Sequence, residues 1–278
     1  TDRTFGLEVP ASLSLSSTHG SLPAGKYMAT TVFVRGDGQI SGAGIAAVID
    51  LPSGGGVAAA VSSSDDPTIV YVDLYLSTPN GTEMYKANRA VVGSSEIVYR
   101  GDIHNLQVPL RTQFRRAPYA FSEIEHSSSR LLFGVGNMLV YTEPFNYELI
   151  DTRSNFIPFT SNVVMIASVD SGVFVGTTED LWFLSGSDIK EASATLVDSH
   201  GIVPHTKAYA RGNVISRGEI KENLPFWVSK NNNICLGLPD GSVDNITEKK
   251  AIIPEGLTGA ALFRQKNGQN HYIAVVNS

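Results

Sequence analysis

The residues from Gly172 to Gly186, GVFVGTTEDLWFLSG, constrain the fold more than any other stretch. Val173, Phe174 and Val175 make a short β-branched and aromatic run. The polar residues Gly176-Thr177-Thr178-Glu179-Asp180 interrupt it, and Leu181-Trp182-Phe183-Leu184 resume it before Ser185-Gly186. Two strands joined by a tight polar turn fit this pattern. An isolated hairpin buries too little apolar surface to offset its ordering entropy, so the rest of the chain must supply strands beside it.

Composition says that it does. Of 278 residues 42% are hydrophobic, the share of a packed globular protein, and only 17% are charged. Abundant Gly, Ser, Thr, Val and Asn favour strands and turns over helices, so the expected fold class is all-β. From Phe5 to Leu110 short apolar runs alternate with turn residues. Tyr27–Val34, Ile45–Leu51 and Val57–Val61 are strand candidates. Thr68–Ser77 is expected to be a half-buried strand, with Ile69, Tyr71, Asp73, Tyr75 and Ser77 opposing Val70, Val72, Leu74 and Leu76. Pro79-Asn80-Gly81 should turn the chain so that Thr82–Ala87 returns antiparallel. About seven short strands in about a hundred residues predict a fibronectin- or immunoglobulin-like β-sandwich over 5–110.

Residues 111–119 carry Arg111, Arg115, Arg116 and Pro118 with little apolar periodicity, and read as a connector. The three arginines read as solvated charges, with anion binding as the alternative. From 120 to 278 the rhythm changes. Arg130–Thr142 forms a hairpin around Gly136-Asn137, and Val163–Val169 leads into the hairpin at 172–186. Pro225–Ser229, Ile234–Leu238 and Val243–Thr247 make strand, turn, strand, turn, strand, the meander of a propeller blade, and Lys266-Asn267-Gly268-Gln269 turns a last hairpin. The units recur about every 40 residues, giving about four blade-sized units in a propeller-like domain, few for a closed ring.

Several functions are disfavoured. A net charge of −6 offers no basic stripe for a phosphate backbone, so sequence-specific nucleic-acid binding is not expected. The single cysteine, Cys235, can form neither an internal disulfide nor a cysteine zinc site, and is expected to pack as a small hydrophobe between Ile234 and Leu236. No apolar run approaches the roughly 18 residues of a membrane span, and Thr1-Asp2-Arg3-Thr4 lacks the apolar core of a signal peptide. The first residue is Thr, so an initiator or a longer segment is expected before it.

The chemical candidates are few. His19, His104, His126, His200, His205 and His271 form no HExxH pair. Gly201 and Pro204 disfavour the helix that would let His200 and His205 share a metal. No GxSxG elbow and no P-loop occur. Glu143, Glu148 and Asp151 cluster near aromatic residues as glycosidase carboxylates do, a reading that would need a cleft and a raised pKa. Asn80-Gly81-Thr82 and Asn245-Ile246-Thr247 spell glycosylation sequons but read as turn chemistry. Asp180 and Asp240-Gly241 lack the alternating acidic loop of a calcium site. Tyr141, Phe145 and Tyr147 are expected in the core, with sugar stacking as the alternative. No catalytic, cofactor-binding or metal residue is assigned, and the chain is not expected to be an enzyme.

The second half resembles the β-propeller portion of virion structural proteins from tailed bacteriophages, the tail hub or nozzle proteins of short-tailed phages. The resemblance is carried by Ser129–Asn137, Tyr141–Leu149, Asn155–Phe159, the hairpin at 172–186, Trp227-Val228-Ser229 and Leu238–Thr247. The first half is similar to the fibronectin-type insert of such proteins through Leu22–Tyr27 and Leu76–Gly81. The resemblance implies a non-catalytic, ring-forming component that lines or supports the DNA exit path. It would be made in the host bacterial cytoplasm, be located in the virion tail, and have other tail proteins as partners. It implies no catalytic residues. The alternative is a carbohydrate- or receptor-binding module on a virion or cell surface.

Overall fold

The computed structural model describes residues 6–61, 63–118, 120–215, 220–248, 250–251 and 253–277. The readings placed on Thr1-Asp2-Arg3-Thr4, on Phe5 and Ser278 as domain ends, and on Tyr119 lie outside the described residues. Among those described, the helical elements are three short 3-10 turns, Ile103–Asn105, Ile189–Glu191 and Gly212–Ile215, and the strands pair antiparallel into small sheets. The fold is all-β. The chain falls into two compact units. One holds residues up to Pro118 together with Glu148–Arg153, and the other holds the rest.

In the first unit the strands are β1 (Leu15–Leu22), β2 (Gly25–Arg35), β3 (Ala47–Leu51), β4 (Gly55–Ala60), β5 (Ile69–Ser77), β6 (Met84–Val91), β7 (Glu96–Tyr99) and β8 (Arg115–Arg116). They form a three-stranded sheet ordered β1-β4-β7 and a four-stranded sheet ordered β3-β2-β5-β6. One core lies between them. Val57, Ala59, Ile97 and Tyr99 come from the first sheet, and Tyr27, Ala29, Phe33, Val72, Leu74 and Leu76 from the second. The Asn80-Gly81 turn forms as its residue types require. Asn80 adopts φ 57°, the Gly81 N–H donates to the Thr78 carbonyl at 3.0 Å, and β6 returns beside β5.

Strand β5 differs from the half-buried expectation, because both of its faces are covered. Val72, Leu74 and Leu76 enter the main core, while Tyr75 joins Val32, Val34, Ala43 and Met84 in a second cluster. Asp73 lies on that second face at 1% exposure, and its carboxylate accepts from Lys86 Nζ at 2.7 Å and from Arg89 Nε and Nη2 at 2.6 and 3.0 Å. Alternation of polar and apolar residues predicts a wet face. Here the polar residue brings its countercharges with it, and the face closes.

The second unit is serial. Its strands begin with β9 (Glu123–Ser127), β10 (Arg130–Val135), β11 (Met138–Tyr141) and β13 (Phe156–Pro158); the short β12 (Ile150–Asp151), between β11 and β13 in sequence, belongs to the first unit, where it pairs with β8. There follow β14 (Val163–Val169), β15 (Gly172–Thr177), β16 (Leu181–Ser185), β17 (Ser193–Asp198), β18 (Ala208–Arg211), β19 (Asn223–Ser229), β20 (Asn233–Gly237), β21 (Val243–Asn245), β22 (Thr258–Lys266) and β23 (Gln269–Asn277). They make three four-stranded antiparallel meanders, β9-β10-β11-β13, β14-β15-β16-β17 and β18-β19-β20-β21, and one two-stranded sheet, β22-β23.

The first three strands of the middle meander, β14 to β16, are buried on both faces, while β17 at its outer edge is exposed. Val173, Val175 and Leu184 pack with Leu132, Leu139 and Tyr141 of the preceding sheet, while Phe174, Leu181 and Phe183 pack with Trp227 and Cys235 of the following one. The near-continuous apolar runs of the 172–186 hairpin follow from this: neither face meets water. Cys235 is buried there, and burial pushes its thiol up to about 12. Gly237 and Gly241 lie where a Cβ would strike the rings of Phe174 and Phe183, and Gly241 has φ +84°, so the Pro239-Asp240-Gly241-Ser242 turn needs its glycine twice over.

Candidate functional site

The residues singled out in the sequence are dispersed. Glu143 belongs to the second unit, and Glu148 and Asp151 to the first. Glu143 accepts from Asn155 Nδ2 at 3.1 Å and lies 3.9 Å from Arg130 Nη1. Arg130, 3% exposed, makes its main bonds elsewhere, a fork to Asp188 with both contacts at 3.0 Å and a 2.7 Å bond to the Thr142 carbonyl. His200 Nδ1 lies 2.7 Å from Asp198, and His205 Nδ1 lies 3.6 Å from Glu123. Among the described residues no group of three or more His, Cys, Asp or Glu could hold a metal ion. Asp180 accepts from Thr160, and Asp240 accepts from both the N–H and the hydroxyl of Ser242, closing its own turn. Tyr141 is in the core as expected, but Phe145 is 79% exposed. It stands at φ 57° in a turn whose N–H donates to the Ser129 carbonyl, and this conformation keeps the ring out of the core.

Two features of the second unit were not read from the sequence. The first is a polar seam along the edge strands β9, β14 and β18. Glu125 Oε2 accepts from Lys207 Nζ at 2.7 Å and from the Tyr209 hydroxyl at 3.1 Å, and Oε1 accepts from Ser168 Oγ at 3.3 Å. Lys207 also donates to the Ile166 carbonyl at 2.7 Å, and the Ser168 N–H donates to Tyr209. Glu123 stands beside this group, 4.0 Å from Lys207, and its pKa is raised by burial against the opposing pull of Lys207 and His205. Burial likewise pushes the Tyr209 phenol up. Every charged head here has a partner, so the seam pins three sheets together at one edge. The sequence hides it because Glu125 and Lys207 stand 82 residues apart.

The second feature is the outer face of the expected last hairpin, β22–β23, which Asn267 and Gly268 turn at φ 52° and 75°. One face is anchored. Phe263 and Tyr272 stack on Phe226 at 5.9 and 5.5 Å, and the Tyr272 hydroxyl donates to the Thr206 carbonyl at 2.6 Å. The other face presents the cross-strand pairs Ala260 with Val275 and Leu262 with Ile273. Leu262 is 51% exposed, Val275 59% and Ile273 36%. These four residues make an uncovered apolar patch, flanked on the same face by the pairs Thr258 with Asn277 and Arg264 with His271, and the sheet has two strands where each meander before it has four.

No protein-family model matches the chain, and no curated protein matches it. Among solved structures it is similar to a crystal structure of BBS1N in complex with ARL6DN soaked with lead, at 12% identity over 96% of this chain and 76% of that one, TM-score 0.37. It is also similar to one soaked with mercury, at 12% identity over 99% and 94%, TM-score 0.39. Neither likeness bears on function.

Proposed function

We propose that this chain is a non-catalytic structural component of a bacteriophage tail, of the hub or nozzle kind, in which a fibronectin-like β-sandwich is joined to a set of propeller-like blades. The sequence resemblance supplies the location. Seven strands in two sheets about one core support the sandwich, and three successive four-stranded meanders, the first three strands of the middle one covered on both faces, support the blades. The observation that carries the assembly role is the uncovered apolar face of β22–β23. The face can be covered by packing, and the edges of the sheet, where neither strand contains proline, can pair with further strands.

Two strands of a neighbouring copy would bring this sheet to the count of the other three meanders. Repeating that contact between different faces of successive copies builds a ring. Other tail proteins stack on the ring as further partners. A net charge of −6 keeps non-specific affinity for the genome low, as a conduit requires. Mass spectrometry and cryo-electron microscopy of purified virions from the source phage test the proposal. The polypeptide is expected in particles in fixed stoichiometry; finding it only in infected-cell cytoplasm rejects the reading.

A further inference from the structure

We propose that copies of this chain associate head to tail, the outer face of β22–β23 in one copy packing on the outer face of the first meander, β9-β10-β11-β13, in the next. This contact rests on the assembly role argued above and gives the hairpin its receiving surface.

The first meander is apolar on both faces. Residues 131–135 of β10 and all of β11 form near-continuous apolar runs, the pattern of β14 to β16, whose two faces are covered. Leu132, Leu139 and Tyr141 enter the cluster shared with the middle meander. On the opposite face Ile124, Phe133, Val140 and Phe156 stand in register as one row across the four strands. Phe133 and Val140, in the middle of the row, are buried, and Phe121 packs on Phe133 with ring centroids 4.9 Å apart. The outermost layer is still apolar: Phe121, Ile124 and Phe156 are 42%, 45% and 41% exposed.

The hairpin suits this surface. Within the chain each joint between successive sheets sets an apolar face on an apolar face: first meander on second, second on third, and third on β22–β23 through Phe226, Phe263 and Tyr272. The series leaves two open ends, and the same kind of joint can unite them. The row at the first end contains no ionisable side chain. At the other end Arg264 and Lys266 lie together beside the turn, beyond Leu262 and Ile273, where they keep their contact with water. Contact between the two ends therefore removes apolar surface from water without stripping a charge. A contact of either end with its own kind covers that end alone, whereas the head-to-tail contact covers both with one interface and repeats from copy to copy.

Complementation between two full-length variants tests this. Ile124→Thr alters the receiving face and Leu262→Thr the hairpin, and threonine keeps the strand preference of both positions. In sedimentation velocity the parent chain should associate over a concentration series. Each variant alone should need about tenfold more protein or beyond to associate as far, the factor expected for the loss of one buried aliphatic side chain. At a concentration where each variant alone is monomeric, an equimolar mixture should form a two-chain species and stop there, because each variant keeps the face that the other lacks. Phe156→Thr takes the place of Ile124→Thr if the latter fails to fold. A monomeric parent chain, a receiving-face variant that assembles as the parent does, or a mixture no larger than its components overturns the proposal. The virion experiment decides the tail reading separately: a chain present in particles whose variants do not complement loses this contact alone, and one whose variants complement but which is absent from particles loses the tail reading alone.

Discussion

Where the first unit encloses one main core between a three-stranded and a four-stranded sheet, the second divides its apolar side chains among clusters that each join one sheet to the next. In the first arrangement a strand needs one apolar face, and β5 acquires a second only because Asp73 is neutralised by Lys86 and Arg89. In the second a middle sheet must be apolar on both faces, and the terminal sheet is left with one face to spare. Two all-β units from one chain thus differ in how damage should spread, through a shared core in one and between neighbouring sheets in the other.

The sharpest way to break this contrast is a pair of cavities. Leu74→Ala and Trp227→Ala each remove a fully buried side chain from the core of its unit, and should cost about 2–5 and about 3–5 kcal/mol respectively. Hydrogen exchange followed amide by amide should show Leu74→Ala loosening β2, β4, β5 and β7 together. Trp227→Ala should loosen β14 to β20 while leaving β10 and β11 protected. Uniform loss across the second unit would refute the serial arrangement. Gly241→Ala should follow in size. Its φ of +84° and the Phe183 ring against its Cβ position both oppose a methyl group, so about 1–3 kcal/mol is expected from chemical denaturation.

Much of this contrast was legible in the sequence. The polar turn at Thr177 to Asp180, the Asn80-Gly81 turn and the burial of Cys235 all follow from local chemistry. What escaped depends on long-range partners. The fork from Arg130 to Asp188 and the seam from Glu125 to Lys207 join residues 58 and 82 positions apart, and no periodicity announces them. The segment 111–119 reads as a solvated connector, yet up to Pro118 it belongs to the first unit, where Arg115 meets Asp151. Nearness in sequence groups Asp151 with Glu143 and Glu148, although Glu143 belongs to the other unit. The pairing of Asp151 with Arg153, an Asx-turn contact two residues on, is the local signal that sets it apart.

Acid titration sharpens the comparison further. Asp151 in the first unit and Asp188 in the second are both held low, chiefly by hydrogen bonds from Arg153 and Arg130. Each contributes stability that is present above the unfolded carboxylate value, about 4, and is lost as pH falls through its lower folded value. Glu123 and Glu222, both in the second unit, have pKa values raised by burial, so each costs stability as pH rises from the unfolded value through the folded one. Glu123→Gln should therefore gain on the parent chain as pH is raised from about 4 toward neutrality, whereas Asp188→Asn should trail the parent by a constant margin over that interval and close the gap only as pH falls below about 4. Parallel pH profiles for the two variants would show that the seam does not burden Glu123.

The smallest effect on stability should come from the face that the serial arrangement leaves over. Leu262 and Ile273 are cross-strand partners on the outer side of β22–β23, opposite Phe263 and Tyr272, which anchor the hairpin. Threonine keeps the strand preference of the site and removes most of its apolar surface, and Leu262 already meets water at 51% exposure. Leu262→Thr should therefore change the unfolding free energy of the isolated chain by no more than about 0.5 kcal/mol, against several for Leu74→Ala. Self-association should respond differently, because covering this face with a neighbouring copy buries the side chain that the substitution removes. Sedimentation velocity over a concentration series should show the parent chain associating and Leu262→Thr remaining smaller at the same concentration. A Leu262→Thr chain that assembles as the parent does would place the contact elsewhere, and one as destabilised as Leu74→Ala would mean that the outer face is already covered.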